Sequence, residues 1–383
     1  MKNIVILGST GSVGKSSIQV IMRYPHKFRV LGISGYRNIE LLKKQVSFLN
    51  PKIVVVKTKK DKIKLQEEIP SHIKITYGEE GLCELASHPE AHIVINALSG
   101  TAGLFPTYSA IQSKRRLALA NKESLVAWGK HIMKKARENQ AEIIPVDSEH
   151  SALFQCLRAG KKRDVKRLIL TASGGPFLHT PKQEFSYISQ EDALKHPSWI
   201  MGKKVTIDSA TLMNKGFEMI EARWLFNIKP SRIDVVIHPQ SMIHSAVEFK
   251  DGSIIAQMAP PDMRIPISYS LFYPQRGNEI NALSFDEMQP LTFEKPDEER
   301  FNTLTLAKYA LQNEDKNYAI VLNAADEAAV ELFLNRKITF DKIFDILEKS
   351  IHIFGGKMIN SIYDVKNFTD EIIKNIKRYK GNI

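Results

Sequence analysis

A regular alternation of apolar strands and amphipathic helices over the first third of the chain constrains its fold more than any other feature. Strands are predicted at residues 3–7, 29–34, 52–56, 73–77, 93–97, 117–120 and 142–146, and helices at residues 16–23, 39–49, 79–87, 102–114 and 124–138. Such alternation builds a mostly parallel sheet with helices on both faces. The sequence therefore predicts an α/β fold that begins with a doubly wound domain.

A glycine-rich turn, GSTGSVG at residues 8–14, joins the first strand to the first helix. In such a turn the backbone N–H groups at the helix start can bind a pyrophosphate, as in Rossmann-like dinucleotide-binding units. The spacing is G-x-x-G-x-x-G rather than the commoner G-x-G-x-x-G. A P-loop is the main alternative because residues 14–16 read GKS, but that motif requires a glycine where the chain has Ser9.

Two further strand ends carry residues that suit a cofactor. A ribose 2′-phosphate is bound by a cation and a 2′-hydroxyl by a carboxylate, and the second strand is followed by Arg37 and no acid. This favours NADPH over NADH. After the sixth strand, Lys122 suits an anionic or hydroxylated substrate, and Asn121 and Glu123 suit the ribose or nicotinamide. The alternative at this position is an ordinary helix start.

The motif PVDSEH at residues 145–150 follows the last of these strands. On an extended backbone, Asp147 and Glu149 point the same way, and two carboxylates beside a helix N-terminus suit a hard divalent cation. Ser148 and Ser151 can cap the helix that follows. The alternative is an N-cap plus a solvated acid.

The middle of the chain contains candidates for binding an anion. Ser173 lies in TASGGP, which is either a phosphate-binding nest or a plain Gly-Pro turn. Residues 196–202, HPSWIMG, suit a loop that closes over a substrate as a lid. The alternative is a loop whose aromatic side chain packs into a small core. Ser209, Asn214 and Lys215 offer the hydroxyl, amide and ammonium groups that hold a phosphate dianion.

Glu218 is a third candidate carboxylate. It would complete a cation site with Asp147 and Glu149, although two carboxylates one helical turn apart, such as Glu218 and Glu221, are usually a solvated or ion-paired face. Asp208 and Glu221 are interpreted as structural. His238 and His244 suggest another metal site, but a His-Pro pair at a strand end more often serves packing or dimer contacts, so both are left out of the metal site.

A hairpin and a helical region follow. Predicted strands at residues 243–249 and 253–258 flank Asp251 and Gly252, a strong hairpin signal, and a homodimer that pairs such hairpins is a reasonable hypothesis. Met263 is equally suited to pack on a nicotinamide or in the core. Helices predicted at residues 303–312, 319–334, 340–354 and 368–380 form a small bundle.

Length and composition complete the expectations. The 383 residues divide into an NADPH-binding domain (1–150), an α+β catalytic domain for metal and substrate with the lid loop (151–280), a linker (281–298) and a C-terminal helical domain (299–383). Two cysteines exclude a disulfide scaffold and fit a reducing compartment. With no signal or transit peptide and no apolar run of membrane-spanning length, a bacterial-type cytoplasmic location is expected. The net charge of +12 is scattered without interleaved aromatics, so neither nucleic acid nor membrane is expected as a partner.

Six motifs occur in order along the chain: GSTGSVG, NKES, PVDSEH, ASGGPF, HPSWIMG and DSATLMNKGFE. Together they resemble the 1-deoxy-D-xylulose 5-phosphate reductoisomerase family over essentially the whole chain. The resemblance implies NADPH- and metal-dependent rearrangement and reduction of that substrate to 2-C-methyl-D-erythritol 4-phosphate, in non-mevalonate isoprenoid biosynthesis. A metal-dependent NADPH reductase of another phosphorylated hydroxyketone, a plain NADPH-dependent alcohol dehydrogenase and a nucleic-acid-binding protein are the alternatives.

The resemblance also implies roles for individual residues. Mg²⁺ or Mn²⁺, with Co²⁺ as a further candidate, would be held by three catalytic carboxylates: Asp147, Glu149 and Glu218. Near the reacting carbons it places Ser148 and the catalytic Lys122, and Glu149 and Glu218 would bind substrate as well as metal. The phosphate end of the substrate would be bound by Ser173, His196, Ser209, Asn214 and Lys215. The NADPH would contact Thr10, Gly11, Ser12, Val13, Tyr36, Arg37, Asn38, Asn121, Glu123 and Gly202. The lid would contain His196, Trp199 and Met201. Tyr36 stands where the family usually has a small residue.

Overall fold

The strands predicted in the first 150 residues form one parallel sheet in the computed structural model, which describes residues 1–196, 199, 201–278, 282–284, 286, 288 and 290–378. They are β1 Lys2–Leu7, β2 Phe28–Ser34, β3 Ile53–Val56, β4 Lys74–Tyr77, β5 Ile93–Asn96, β6 Arg116–Leu119 and β7 Ile143–Pro145. Their order is β4-β3-β2-β1-β5-β6-β7. This confirms the doubly wound prediction, and the order reverses between β1 and β5, where ligands bind in open α/β sheets.

A second sheet contains the predicted hairpin. Its strands are β8 Val165–Ala172, β9 Ile233–Ile237, β10 Ile243–Phe249 and β11 Ile254–Met258. Their order is β11-β10-β8-β9, with β8 and β9 parallel and the other neighbours antiparallel. Gly252 has a φ of +89° in the turn between β10 and β11, which glycine adopts without strain.

Most of the remaining regular structure is α-helical. They are α1 Ser12–Met22, α2 Ile39–Leu49, α3 Lys59–Gln66, α4 Gly78–Ala86, α5 Leu104–Gln112, α6 Glu123–Asn139, α7 Ser148–Cys156, α8 Gln190–Ala193, α9 Lys203–Ala210, α10 Met213–Phe226, α11 Arg264–Phe272, α12 Thr303–Gln312, α13 Tyr318–Leu334, α14 Asp341–Phe354 and α15 Ile362–Arg378. Among the residues that the structure describes, no helix is long and apolar enough to cross a membrane.

Local capping accounts for two differences from the predicted helices. Apolar spacing does not predict α3 because Leu65 is its only buried residue, and a capping box of Thr58 and Asp61 begins it instead. Helix α15 begins six residues earlier than predicted, where the Ser361 hydroxyl accepts a hydrogen bond from the Asp364 N–H at 3.1 Å. The last two residues predicted for this helix lie outside the described part of the chain.

The chain divides into two compact units. Unit 1 comprises Met1–Ser124, Lys130–Ser151 and Asp262–Ile280, and unit 2 comprises Leu125–Gly129, Ala152–Pro261 and Asn281–Ile383. The division near Ser151 lies close to the boundary predicted at residue 150. Helix α11, predicted with the catalytic domain, belongs to unit 1, and the C-terminal helices share unit 2 with the second sheet. The predicted linker at 281–298 falls partly on residues outside the described ones.

Packing explains why α11 belongs to unit 1. Its Ile267 and Leu271 are fully buried in the core around the parallel sheet. The Phe272 ring meets the rings of Tyr24 and Phe28 edge to face, with centroids 4.7 Å and 5.0 Å away. Aromatic pairs of this geometry add to the stabilisation that burial provides. A segment remote in sequence is therefore part of the first core.

Candidate functional site

The turn between β1 and α1 has the geometry of an anion-binding loop. Gly8 has a φ of +82°, and a Cβ there would lie 2.7 Å from the carbonyl oxygen of Ala97. A Cβ on Gly14 would lie 2.3 Å from the carbonyl oxygen of Gly8. Gly11 is the N-cap of α1 and has no side chain to accept the first-turn N–H groups, which can therefore bind an anion. Four predicted cofactor-binding residues lie in this turn or in the first turn of α1, exposed or half-buried: Thr10, Gly11, Ser12 and Val13.

The residues after β2 lead into α2. Asn38 is the N-cap of α2, and its Oδ1 accepts a hydrogen bond from the Leu41 N–H at 2.9 Å. Arg37 is exposed and Tyr36 half-buried. Burial, helped by the Glu79 carboxylate, raises the pKa of the Tyr36 hydroxyl to about 12. This hydroxyl is therefore neutral at physiological pH, and the guanidinium of Arg37 supplies a cation at this strand end.

Asn121 and Glu123 hold the loop that follows β5. Both are buried. The Asn121 Nδ2 donates to the carbonyl oxygens of Leu98 and Gly100 at 3.0 Å and 2.9 Å, and the Gly100 N–H donates to Glu123 Oε1 at 2.9 Å. These side chains stabilise the strand ends next to the reversal in strand order. Their contact with a cofactor stays a prediction.

Asp147 is the N-cap of α7. Its Oδ1 accepts hydrogen bonds from the N–H groups of Glu149 and His150, both at 3.2 Å. The extended backbone expected through Glu149 is therefore wrong, because β7 ends at Pro145 and α7 begins at Ser148. The Asp147 carboxylate accepts hydrogen bonds from first-turn N–H groups that have no carbonyl partner within the helix. This favours a helix that begins at Ser148. The capping part of the alternative interpretation is confirmed.

Charged and polar neighbours surround the two carboxylates of this motif. Lys122 Nζ lies 2.8 Å from Asp147 Oδ2, and the fully buried His150 places Nδ1 3.0 Å from Asp147 Oδ1. The Ser148 hydroxyl donates to Glu149 Oε2 at 2.5 Å. His150 is absent from the predicted site residues, although it is the last residue of the PVDSEH motif. The parallel pairing of β6 with β7 brings Lys122 to Asp147.

In unit 2 a histidine joins two predicted phosphate-binding serines. The Trp199 N–H donates to His196 Nδ1 at 2.9 Å, so in the neutral imidazole Nε2 carries the proton. His196 Nε2 lies 3.1 Å from Ser173 Oγ and 3.0 Å from Ser209 Oγ. Because this N–H donates to the hydroxyl oxygens, the hydroxyl protons can be donated to another acceptor, such as a phosphate oxygen. The half-buried cluster therefore suits an anion.

Helix α10 carries the remaining candidates on one face. Asn214 Nδ2 donates to Glu218 Oε1 at 2.5 Å, and the Lys215 ammonium pairs with Glu218 Oε2. Spacings of three and four residues place these side chains together on a helix. Lys215 and Glu218 are almost fully buried, and Asn214 is half-buried. A candidate anion-binding ammonium and a candidate metal ligand are thus neighbours.

The predicted lid is described only in part. Trp199 and Met201 are half-buried, and the Trp199 and His244 ring centroids are 5.9 Å apart. Gly202 is exposed and is the N-cap of α9. The other lid positions, 197, 198 and 200, lie outside the described residues.

Two residues discussed in the sequence analysis pack inside the fold. His238 is buried, with Nδ1 2.9 Å from the Thr292 carbonyl oxygen, and its Nε2 accepts hydrogen bonds from the N–H groups of Met242 and Ile243, both at 3.2 Å. Packing is therefore the role of His238. Met263 packs against the core of unit 1, which favours the core interpretation for this methionine.

Family models match successive parts of the chain. The 1-deoxy-D-xylulose 5-phosphate reductoisomerase model matches residues 4–129, its C-terminal domain model residues 143–226, and the DXP reductoisomerase C-terminal domain model residues 258–376. The 1-deoxy-D-xylulose 5-phosphate reductoisomerase of Thermoanaerobacter sp. (strain X514) is 48% identical over 99% of this chain and 100% of its own length. That of Bacillus cereus (strain Q1) is 46% identical over 92% of this chain and 93% of its own length.

Solved structures of the same name are similar throughout. A DOX-P reductoisomerase in complex with NADPH, fosmidomycin and magnesium is 35% identical, with a TM-score of 0.93 over 99% of this chain and 98% of that one. The Zymomonas mobilis enzyme in complex with NADPH is 37% identical, with a TM-score of 0.92 over the full length of both chains. The chain belongs to the 1-deoxy-D-xylulose 5-phosphate reductoisomerase family.

Proposed function

We propose that this chain converts 1-deoxy-D-xylulose 5-phosphate to 2-C-methyl-D-erythritol 4-phosphate, using NADPH and a divalent metal ion, in non-mevalonate isoprenoid biosynthesis. The observation that carries the proposal is full-length similarity to enzymes of that name. Similar structures contain NADPH and magnesium. The reaction is a rearrangement of the carbon chain followed by reduction, and the enzyme is an oxidoreductase.

The NADPH site is assigned to residues of unit 1 and to Gly202 of unit 2. Its pyrophosphate would meet the first-turn N–H groups of α1, and the exposed Arg37 guanidinium would pair with the ribose 2′-phosphate. NADPH supplies the hydride for the reduction. The neutral Tyr36 hydroxyl and Asn38 lie beside Arg37 in sequence, and Asn121, Glu123 and Gly202 complete the proposed contacts.

The metal site is assigned to Asp147, Glu149 and Glu218. Each offers a carboxylate oxygen, and carboxylates are the ligands that Mg²⁺ and Mn²⁺ prefer, with Co²⁺ also acceptable. A bound cation acts as a Lewis acid on the oxygens of the substrate. Lys122 Nζ lies 2.8 Å from Asp147 Oδ2. The Lys122 ammonium, next to this proposed metal ligand, can hold a proton or bind a substrate hydroxyl near the reacting carbons. Ser148 donates to Glu149 and orients that carboxylate.

The phosphate site is assigned to unit 2. His196 holds the oxygens of Ser173 and Ser209, which leaves hydroxyl protons for the phosphate. Lys215 and Asn214 add an ammonium and an amide. Binding the phosphate away from the reacting carbons can help Trp199 and Met201 of the lid to exclude water.

The test follows absorbance at 340 nm with purified protein, NADPH, Mg²⁺ and 1-deoxy-D-xylulose 5-phosphate, with and without a chelator. We expect NADPH oxidation that the chelator stops and added Mg²⁺ restores. A plain alcohol dehydrogenase would turn over regardless of the chelator. Binding of NADPH without oxidation would favour a reductase of another phosphorylated hydroxyketone, and absence of NADPH binding would contradict both.

We also propose a homodimer that forms through β11. This strand is at the edge of the second sheet, and its Ile254 and Ile255 are 55% and 39% exposed. An exposed apolar edge strand pairs readily with another chain. Analytical ultracentrifugation at micromolar concentration should show a dimer that Ile255→Lys dissociates, and a wild-type monomer would rule against it.

We propose a cytoplasmic location for the enzyme. The two cysteines, Cys83 and Cys156, are both thiols rather than a disulfide, which suits a reducing compartment. Cell fractionation with an antibody should find the protein with cytoplasmic markers, and recovery with the membrane or secreted fraction would contradict this.

A further inference from the structure

A buried charge network fixes α9, the helix that carries Ser209. Lys204 Nζ lies 2.7 Å from Asp208 Oδ2, one turn along the same helix, and 2.5 Å from Asp326 Oδ2 on α13. The Asp326 side chain is fully buried, that of Asp208 is 3% exposed and that of Lys204 is 19% exposed. A lysine from α9 is therefore held between carboxylates of two helices.

A second contact fixes the end of the same helix. The Thr303 hydroxyl, at the first residue of α12, donates to the Thr211 carbonyl oxygen at 2.7 Å. Leu212 follows with a φ of +60° and reverses the chain into α10. A Cβ on Gly216 of α10 would lie 3.0 Å from the Ala307 Cβ of α12. The C-terminal helices thus contact both helices that carry the proposed phosphate ligands.

The position of Ser209 depends on this network. Ser209 follows Asp208 directly in the last turn of α9, and its Oγ lies 3.0 Å from His196 Nε2. Buried ion networks contribute little net stability, because desolvation opposes the attraction, but they resist displacement since a lost partner leaves a buried charge. The Asp326 carboxylate on α13 can therefore hold α9, and with it Ser209, in one orientation.

We infer that Asp326 is a positioning residue for phosphate binding: through Lys204 and Asp208 it fixes Ser209, and with it His196, toward the phosphate of the substrate. This inference rests on the proposed function for the identity of the substrate. It assigns the C-terminal helices a role in substrate affinity as well as in folding.

The experiment compares Asp326→Ala, Asp326→Asn and Lys204→Gln with a control on the same helix, Glu331→Ala. Glu331 is exposed and pairs with Lys377 at 2.8 Å, away from this network. KM for 1-deoxy-D-xylulose 5-phosphate should rise at least about tenfold in D326A and K204Q, with NADPH affinity within about twofold of wild type. KM should rise less in D326N, which keeps an oxygen for Lys204 but loses the charge, and should stay near wild type in E331A.

The double variant K204Q/D326A should show no larger rise in KM than the worse single variant, because both substitutions break one connection. An unchanged KM in folded D326A and K204Q, or an equal rise in E331A, would overturn the inference. If D326A does not fold, K204Q alone decides between these results.

A thermal shift with inorganic phosphate separates this inference from the proposed function. Phosphate should raise the Tm of the wild type and of E331A but not of K204Q or D326A. If 1-deoxy-D-xylulose 5-phosphate is not turned over but this pattern holds, the proposed function fails and the positioning role stands. An equal shift in every variant would contradict the positioning role.

Discussion

Each unit contains a lysine paired with a proposed metal ligand, but the two pairs differ in sequence separation and in exposure. In unit 1, Lys122 and Asp147 are 25 residues apart and meet at 2.8 Å beyond the ends of β6 and β7. In unit 2, Lys215 and Glu218 lie three residues apart on α10. The unit 1 side chains are 13% and 12% exposed, whereas those of unit 2 are 4% and 0% exposed.

This difference predicts different responses to change. A pair on one helix is set by the geometry of a single turn, and because it is buried, removing one partner leaves an uncompensated charge. A pair formed across two strand ends depends on the pairing of the sheet but can exchange with water. Substitutions in unit 2 should therefore affect function more than those in unit 1.

The largest effect is expected from Glu218→Gln. The amide keeps the shape but removes the charge of a proposed metal ligand, so kcat should fall at least about 1000-fold while NADPH binding persists. Steady-state kinetics and NADPH fluorescence titration measure the two quantities. Glu221→Gln, at an equally buried position one turn later, is the matched control and should retain far more activity. Near-normal kcat in E218Q would remove Glu218 from the metal site.

Asp147 caps α7 and is also a proposed metal ligand, and two substitutions separate these roles. Both Asp147→Asn and Asp147→Ala should lower kcat about 100-fold, because both remove the charge. Asn still caps a helix, so D147A should unfold more easily than D147N by about 1 kcal/mol. Denaturant titrations measure this difference. If D147N keeps full activity, Asp147 serves only as the cap of α7.

Lys122→Met tests the more exposed pair. Losing an ammonium near the reacting carbons should lower kcat about tenfold or more, yet Mn²⁺ affinity should not fall, because a neighbouring positive charge opposes cation binding. Calorimetric titration with Mn²⁺ and steady-state kinetics give the two values. Weaker Mn²⁺ binding in K122M would show that Lys122 supports the metal site rather than the substrate.

The smallest effect concerns the two cysteines, one in each unit. Burial raises the pKa of the Cys156 thiol in unit 2 to about 11, whereas Cys83 in unit 1 is only half-buried. Thiolate is the reactive form, so at pH 8 a thiol reagent should modify Cys83 at least about tenfold faster than Cys156. Mass spectrometry of digests gives the rates, with guanidinium-unfolded protein as the control. Equal modification rates of the two cysteines in the native protein would mean that the region around Cys156 in unit 2 opens as readily as the region around Cys83 in unit 1.

Local patterns made part of the structure predictable. Helix α2 and strand β10 begin and end where predicted, because apolar spacing and turn residues at both ends agree. Ser209, Asn214 and Lys215 lie within one short segment, but the structure puts Ser209 beside His196 and puts Asn214 and Lys215 beside Glu218. Their grouping around one phosphate therefore stays a prediction. Contacts between distant segments could not be predicted: the packing of α11 on the first core and the Lys204–Asp326 pair join residues more than 100 positions apart.

The start of α7 shows a second limit of the sequence. The motif at 145–150 predicts an extended backbone through Glu149. In the structure the helix already begins at Ser148, and the Asp147 carboxylate caps it. Both conformations are compatible with the same residues, and the choice depends on where β7 ends. Likewise, the sequence identified Asn121 and Glu123 but not that their side chains hold the loop after β5.

Mn²⁺ binding tests most directly whether Asp147, Glu149 and Glu218 hold one metal ion. Calorimetry on wild type, D147N, E218Q and the E221Q control should show one Mn²⁺ per chain in wild type and E221Q. Affinity should be at least about tenfold weaker in both D147N and E218Q, because each loses one charged ligand. Wild-type affinity in E218Q would contradict the three-carboxylate site and would leave the metal to Asp147 and Glu149.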